Sequence, residues 1–309
     1  MHQRWWYKCG LQNTGQLYII FFGKSKETGR EPVFFVIVRR EGVMKNSDLL
    51  KIFPKQPFFV LAAEKYYKSV IMNCGISHFY EFTAEPGVGQ EAVAIPDGTV
   101  DILFYCNVEK PWANICGTVM HPQVVIHEEG LYFGVRFLPG IVPANCDVSM
   151  ADLVEQEIPL QDVLKDRDLF DRIIEARNFE ERQNIFMKSH LNYYYTDSGE
   201  DSNRKIYQYM IKEMIETAGE TSVAAMAKAM AYSERYANKV FKEYSGIAPK
   251  KYCKLMQFQY LLDHLDLSEK EVNFALLSSD LGFYDQSHMI KTFKDYTAYT
   301  PQKYVDFMH

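Results

Sequence analysis

Apolar positions along the first 140 residues alternate or run in short blocks broken by turn-forming residues, whereas beyond residue 149 they recur every three to four positions. Gln16 to Phe22 and Pro32 to Arg39 predict two strands around a Gly23 to Gly29 turn, and Pro54 and Pro57 mark a boundary after them. From Phe58 to Gly140 the chain is strand-like. After the Pro96-Asp97-Gly98 turn, Val100, Ile102 and Phe104 alternate with Asp101 and Leu103; between Leu131 and Phe137, Tyr132 and Arg136 fall on the face opposite Phe133 and Val135. This pattern predicts a barrel-like or sandwich-like β-domain. Ser149 to Asp152 carries a capping-box pattern, Pro159 interrupts the helical stretch that it opens, and Asn178 with Glu181 starts a helix through His190. Residues 195–203 are polar and without apolar period, which makes them a linker.

The last hundred residues are helical and say nearly the same thing twice. The stretch Phe241 to Tyr252 returns 52 positions later as Phe293 to Tyr304, six of twelve letters being identical. Each copy reads as a helix, a turn and a second helix. In the first, Ser233 is the expected N-cap; Tyr236, Val240, Phe241 and Tyr244 form an apolar face, while Arg235, Asn238, Lys239 and Lys242 fall on the opposite one. In the second, Asp285 caps, Met289, Phe293 and Tyr296 face inward, and Ser287, Lys291 and Lys294 line the outward stripe beside Gln286. Arg, Lys, Gln and Asn read base edges and grip phosphates in a major groove. A single polar stripe is more often a solvated face; two copies with matched caps, turns and following helices begun by Pro249 and Pro301 favour a tandem helix-turn-helix.

Leu281 to Lys294, with Thr300-Pro301 and Lys303-Tyr304 after it, closely resembles the second helix-turn-helix signature of AraC/XylS-type transcription regulators. The resemblance covers residues 203 to 309 and implies two units joined by a long helix near Tyr252 to Leu265, with Arg235, Asn238 and Lys239 reading bases in the first recognition helix and Gln286, Ser287 and Lys291 in the second. A joining helix of about 14 residues would span roughly 21 Å, setting the recognition helices about one DNA turn apart. Two departures from the pattern are visible. Gln257 stands where a basic residue is expected, and Ala298 replaces the glycine that the first copy has at Gly246, which predicts a modified helix end. The Pro96-Asp97-Gly98-x-x-Asp101 and Gly134-Val-Arg136-Phe-x-Pro139-Gly140 segments also resemble the N-terminal sensory region of a subset of these regulators.

Net charge at first argues against a nucleic-acid partner, because the chain carries a formal -6. The excess acid is all N-terminal: residues 201 to 309 hold 14 basic and 14 acidic side chains. Between 235 and 254, Arg235, Lys239, Lys242, Lys250, Lys251 and Lys254 face only Glu243, a local patch suited to phosphates, with Lys250 at the start of the joining helix as a backbone contact. The six cysteines are scattered without metal-ligand spacing. His121 and His127, six apart with Pro122 between, do not make a same-strand metal pair and read as ordinary loop or surface histidines, whereas His78 beside Phe79 and Tyr80 reads as a packed strand histidine. Asp101 and Arg136 are the best polar anchors for an effector, although an ion pair is the commoner role for either.

The sequence thus predicts an α+β multidomain chain: an N-terminal β-hairpin extension (1–57), a β-rich effector-sensing and dimerisation domain ending in helices (58–194), a linker (195–203) and an all-α tandem helix-turn-helix domain (204–309). Its expected partners are double-stranded promoter DNA, an unidentified small-molecule effector, RNA polymerase and a second copy of the chain. No membrane, metal or cofactor is expected. With no apolar run of roughly 18 residues and no leader pattern at Met1, the expected location is the cytoplasm. The alternative is an enzyme whose β-barrel carries chemistry and whose helical domain targets it; it lacks metal spacing, a Gly-rich phosphate loop and a nucleophile motif.

Overall fold

The computed structural model describes residues 18–22, 33–37, 55–57, 65–84, 91–194, 201–267 and 272–308. Ten strands occur among them: β1 (Tyr18–Phe22), β2 (Val33–Ile37), β3 (Lys65–Asn73), β4 (Ile76–Ala84), β5 (Glu91–Ala94), β6 (Asp101–Tyr105), β7 (Trp112–Cys116), β8 (Gln123–Ile126), β9 (Gly130–Phe137) and β10 (Glu157–Pro159). The main sheet runs β1-β2-β3-β4-β9-β6-β7-β10, and β5 pairs with β8 in a second, two-stranded sheet. The expected hairpin strands at the N-terminus are present and antiparallel, and β2 joins β3 in parallel, so they extend the main sheet. Their expected Gly23 to Gly29 turn lies outside the described residues. The main sheet is open: among the described residues its edge strands do not pair, and the barrel expectation is corrected to an open sheet.

Register explains the alternation. Ser69, Phe79, Val135, Ile102 and Ile115 stand in one cross-strand row, and Phe79, Val135, Ile102 and Ile115 pack into a core with Leu169, Ile173 and Phe186. The opposite face carries the row Tyr66, Phe82, Tyr132, Tyr105, Trp112, then the row Lys68, Tyr80, Gly134, Leu103, Asn114, and beyond it the row Val70, His78, Arg136, Asp101, Cys116. Rings crowd this face: Phe82 stacks on Tyr132 at 4.9 Å, and Gly134 is glycine because a Cβ there would lie 2.0 Å from the Tyr80 ring.

Helices follow the sheet: α1 (Met150–Leu153), α2 (Leu160–Val163), α3 (Leu169–Glu175) and α4 (Phe179–Tyr194). The expected capping box is formed, the Ser149 hydroxyl accepting from Asp152 N at 3.2 Å and Ser149 N donating to the Asp152 carboxylate at 3.2 Å. Glu181 N donates to Asn178 Oδ1 at the start of α4, as expected. Arg182 of α4 reaches the sheet, donating to Glu81 at 3.0 Å. The C-terminal half holds α5 (Ser202–Glu216), α6 (Val223–Ala229), α7 (Glu234–Ser245), α8 (Pro249–Leu267), α9 (Phe274–Asp280), α10 (Gln286–Thr297) and α11 (Pro301–Met308). α5 begins inside the segment read as linker, with Asp201 as its N-cap. α8 is longer than expected: 19 residues, about 28 Å at 1.5 Å per residue.

α8 is buried on nearly every side because it serves two cores. Tyr252, Leu255 and Met256 pack with α5 to α7, whereas Phe258, Leu261, Leu262 and Leu265 pack with Met289, Phe293 and Tyr304 of the following unit.

Candidate nucleic-acid interface

The two repeated units are built by the same local devices. Ser233 Oγ accepts from Tyr236 N at 3.2 Å to start α7, and Asp285 Oδ1 accepts from His288 N at 2.6 Å to start α10. At the far ends, Ser245 and Thr297 each donate a hydroxyl back to the carbonyl four residues earlier, both at 2.8 Å, and accept from the amide two residues on. The turns differ by one residue. Ala231 (φ 60) ends the first helix of unit one and Gly282 (φ 67) that of unit two, 51 positions apart, while the caps Ser233 and Asp285 are 52 apart. The extra residue is Tyr284, which is 92% exposed.

These caps aim the polar stripes outward. Arg235, Lys239 and Lys242 on α7 and Gln286, Ser287, Lys291 and Lys294 on α10 are exposed, whereas Ala237, Val240, Phe241, Met289, Phe293 and Tyr296 are buried. Lys250 is exposed in the first turn of α8. Asn238 is half-buried, its amide donating to Glu234 O at 2.9 Å, and Lys239 lies 3.6 Å from Glu243. Tyr236, expected on the apolar face, lies at the surface, its hydroxyl donating to Asn203 Oδ1 at 2.7 Å. On α10, Ser287, Ile290, Lys291, Lys294 and Asp295 line a shallow hollow. Each stripe is thus a solvent-facing set of donors on a helix held by its apolar side, the arrangement that enters a groove.

The two departures in the sequence have structural answers. Gln257 donates to Leu281 O at 2.8 Å and so satisfies the carbonyl that ends α9, tying the second unit to the joining helix. Ala298 does not modify the helix end: it adopts the same left-handed C-cap as Gly246.

Asp101 and Arg136 are brought together by adjacent strands rather than left open as anchors. Arg136 Nε donates to Asp101 Oδ1 at 2.9 Å and Nη2 to Oδ2 at 2.5 Å, while Nη1 lies 3.1 Å from Asp97. Burial pushes the Asp101 carboxyl up, against the pull of Arg136. Lys68, on the same face, falls to about 8, chiefly through burial, with Arg136 and Lys55 adding repulsion. The histidines differ from one another. His78 is buried beside Tyr80, and His127 is buried edge-on to the Phe82 and Tyr132 rings rather than placed at the surface, burial lowering it to about 4. Among the described residues no three His, Cys, Asp or Glu side chains could hold a metal ion, and no helix is long and apolar enough to cross a membrane.

Three side chains tie the two halves together in a role that the sequence does not mark: Tyr207, Tyr252 and Gln259, which donate to the carbonyls of Gly140, Gly98 and Pro96; their one signal is a polar tip on an otherwise apolar helical stretch.

Comparison with known proteins agrees with the helical half. Residues 226–306 match a family model described as a helix-turn-helix domain, and residues 73–159 match one described as a domain of unknown function, DUF6597. No curated protein matches the chain. Among solved structures, ToxT from Vibrio cholerae overlaps it in a P21 crystal form at 14% identity, over 71% of this chain and 89% of that one, with a TM-score of 0.37. ToxT bound to (E)-4-(8-methylnaphthalen-1-yl)but-3-enoic acid overlaps at 11% identity, 71% and 90%, TM-score 0.38. Wild-type ToxT bound to an unsaturated fatty acid gives 15%, 71% and 86%, TM-score 0.35. Overlaps this loose say nothing about a ligand for this chain.

Proposed function

We infer that this chain, whose C-terminal third is an AraC-type helix-turn-helix domain, is a sequence-specific DNA-binding transcription regulator whose two recognition helices read successive major grooves. The observation that carries the reading is the pair of exposed stripes, Arg235, Lys239 and Lys242 in one unit and Gln286, Ser287, Lys291 and Lys294 in the other, each on a capped helix whose remaining face is core. Lys250 supplies a phosphate contact between them, and Asn238 contributes at the edge of the first stripe. No reaction is assigned to the chain. Promoter DNA is the primary partner, RNA polymerase and a second copy of the chain are the partners such a regulator meets there, and the cytoplasm is where it meets them.

The N-terminal domain sets the response to a small-molecule effector. Its support is the aromatic face of the main sheet, Tyr66, Tyr80, Phe82, Tyr105 and Tyr132, next to the Arg136–Asp101 pair, a combination of apolar rings and a few fixed charges that suits a ligand. An effector entering this face meets Arg136 and Asp101 already paired, so it acts by competing for that pair.

The test is selection of duplexes from a randomised pool by the full chain, followed by footprinting and a salt series. Two protected segments about 10 base pairs apart on one face of the duplex support the reading, with a salt slope reflecting several phosphates. A single protected segment, or no enrichment at low salt, overturns it.

A further inference from the structure

The two motifs of the N-terminal domain form one unit whose tips touch the DNA-binding half. Phe137 N donates to Val100 O at 2.9 Å and Gly140 N to Gly98 O at 3.2 Å, while Arg136 joins Asp101 and Asp97 from the side. Asp97 in turn accepts from Thr99 N at 3.0 Å, and the Gln56 amide donates to both Asp97 and Ile95 O. The turn that carries Gly98 is therefore braced from below by the buried Asp97 and Arg136 and the half-buried Gln56 and Asp101.

Its upper surface meets α8 and α5. Tyr252 Oη donates to Gly98 O at 3.1 Å, Gln259 Nε2 to Pro96 O at 2.7 Å, and Tyr207 Oη to Gly140 O at 3.0 Å. Gly98 and Gly140 both have φ +72, and a Cβ would stand 2.7 Å from Tyr252 Oη at the first and 2.8 Å from Tyr207 Oη at the second. These glycines are required by the helices above them as well as by their own turns. Tyr252 and Gln259 are fully buried and seven residues apart on one face of α8, on either side of the point where that helix passes from the first core to the second. Each core also receives apolar side chains from the N-terminal domain, buried Met120 and half-buried Val154 in the first, buried Ile95 and half-buried Val93 in the second.

We propose that the Pro96–Gly98 and Pro139–Gly140 turns are a cleat that holds the joining helix rigid, so that Tyr252, Gln259 and Tyr207 are positioning residues for spacing specificity: the N-terminal domain decides which separation of two DNA segments the tandem units accept. The inference rests on the DNA-binding reading above. A helix clamped at two points across its core boundary presents both recognition helices in one fixed relation, and binding to a correctly spaced site then costs no ordering. Released, it bends, loses affinity for that spacing and accepts others.

The test uses the full chain and a duplex that the unaltered chain selects from a randomised pool, together with the same duplex carrying one to five inserted base pairs between the two protected segments. The variants are the double substitution Tyr252→Phe with Gln259→Leu, which removes both polar contacts of α8 while keeping side chains of similar size, and Gly98→Val, which cannot seat. The unaltered chain should lose at least about tenfold in affinity on the half-turn insertion. The double variant, with an unaltered circular-dichroism spectrum, should bind the original duplex about fivefold more weakly and show an insertion penalty below about threefold. Gly98→Val should behave likewise where it folds, and the double variant carries the test where it does not. An unchanged spacing profile in a folded double variant overturns the cleat while leaving DNA binding intact, as does a tighter complex with the original duplex. No binding by the unaltered chain overturns the reading beneath it.

Discussion

Gly246 and Ala298 occupy the same point in the two repeated units: each closes its recognition helix in the left-handed conformation, at φ 70 and φ 63, and donates its amide four residues back, to Lys242 O and Lys294 O. Only one of them has the residue that conformation favours. An alanine pays for its Cβ there, roughly 1 kcal/mol.

Ala298→Gly should therefore stabilise the chain slightly, by up to about 0.5 kcal/mol, the relief of strain exceeding the added freedom of the unfolded chain. Chemical denaturation checks it. The reverse change, Gly246→Ala, should cost more than this difference, because the new Cβ would lie 2.8 Å from Val154 and 2.9 Å from the Ala151 backbone.

Arg136→Gln should destabilise the chain by about 3–5 kcal/mol, since it leaves the buried Asp97 and the half-buried Asp101 without their cation. A urea midpoint shifted by less than a third of that would mean that the carboxylates find water instead.

Lys68 gives a pH signature. Below about pH 8 the folded and unfolded chains both hold the proton, and the folded state carries the full cost of a charge short of water. Between about 8 and its ordinary 10.5 the folded chain releases the proton first, so this residue's contribution to stability rises with pH over that window. Lys68→Met should be the more stable form at pH 7, and the difference between the two proteins should shrink from pH 8 to 10.5. A constant difference in parallel denaturation curves would refute the assignment.

Arg235→Ala should cost about 1–3 kcal/mol of DNA affinity and relax base preference in one segment only, whereas Lys250→Ala should weaken all duplexes alike and reduce the salt slope by about one. Binding titrations on selected and scrambled duplexes separate the two outcomes.

What the sequence by itself determined is what neighbours along the chain enforce. The caps at Ser233 and Asp285, the prolines that open α8 and α11 and the spacing of Val240, Phe241, Met289 and Phe293 act within a turn or two of helix, so both units and their outward stripes were legible before any fold was known. The alternation along β6 and β9 was legible for the same reason. Tertiary structure decided the rest, because it depends on which strands lie side by side and which surfaces meet. Asp101 and Arg136 read as effector anchors or as members of ion pairs with no partner named, until the sheet placed β6 beside β9 and closed them on each other, 35 residues apart. The open edges of the sheet are likewise a matter of strand order, which alternation does not encode. Gly98 and Tyr252 are 154 residues apart, and a carbonyl leaves no mark in the sequence to say which hydroxyl will reach it. Such a bond forms only once two independently patterned halves have packed.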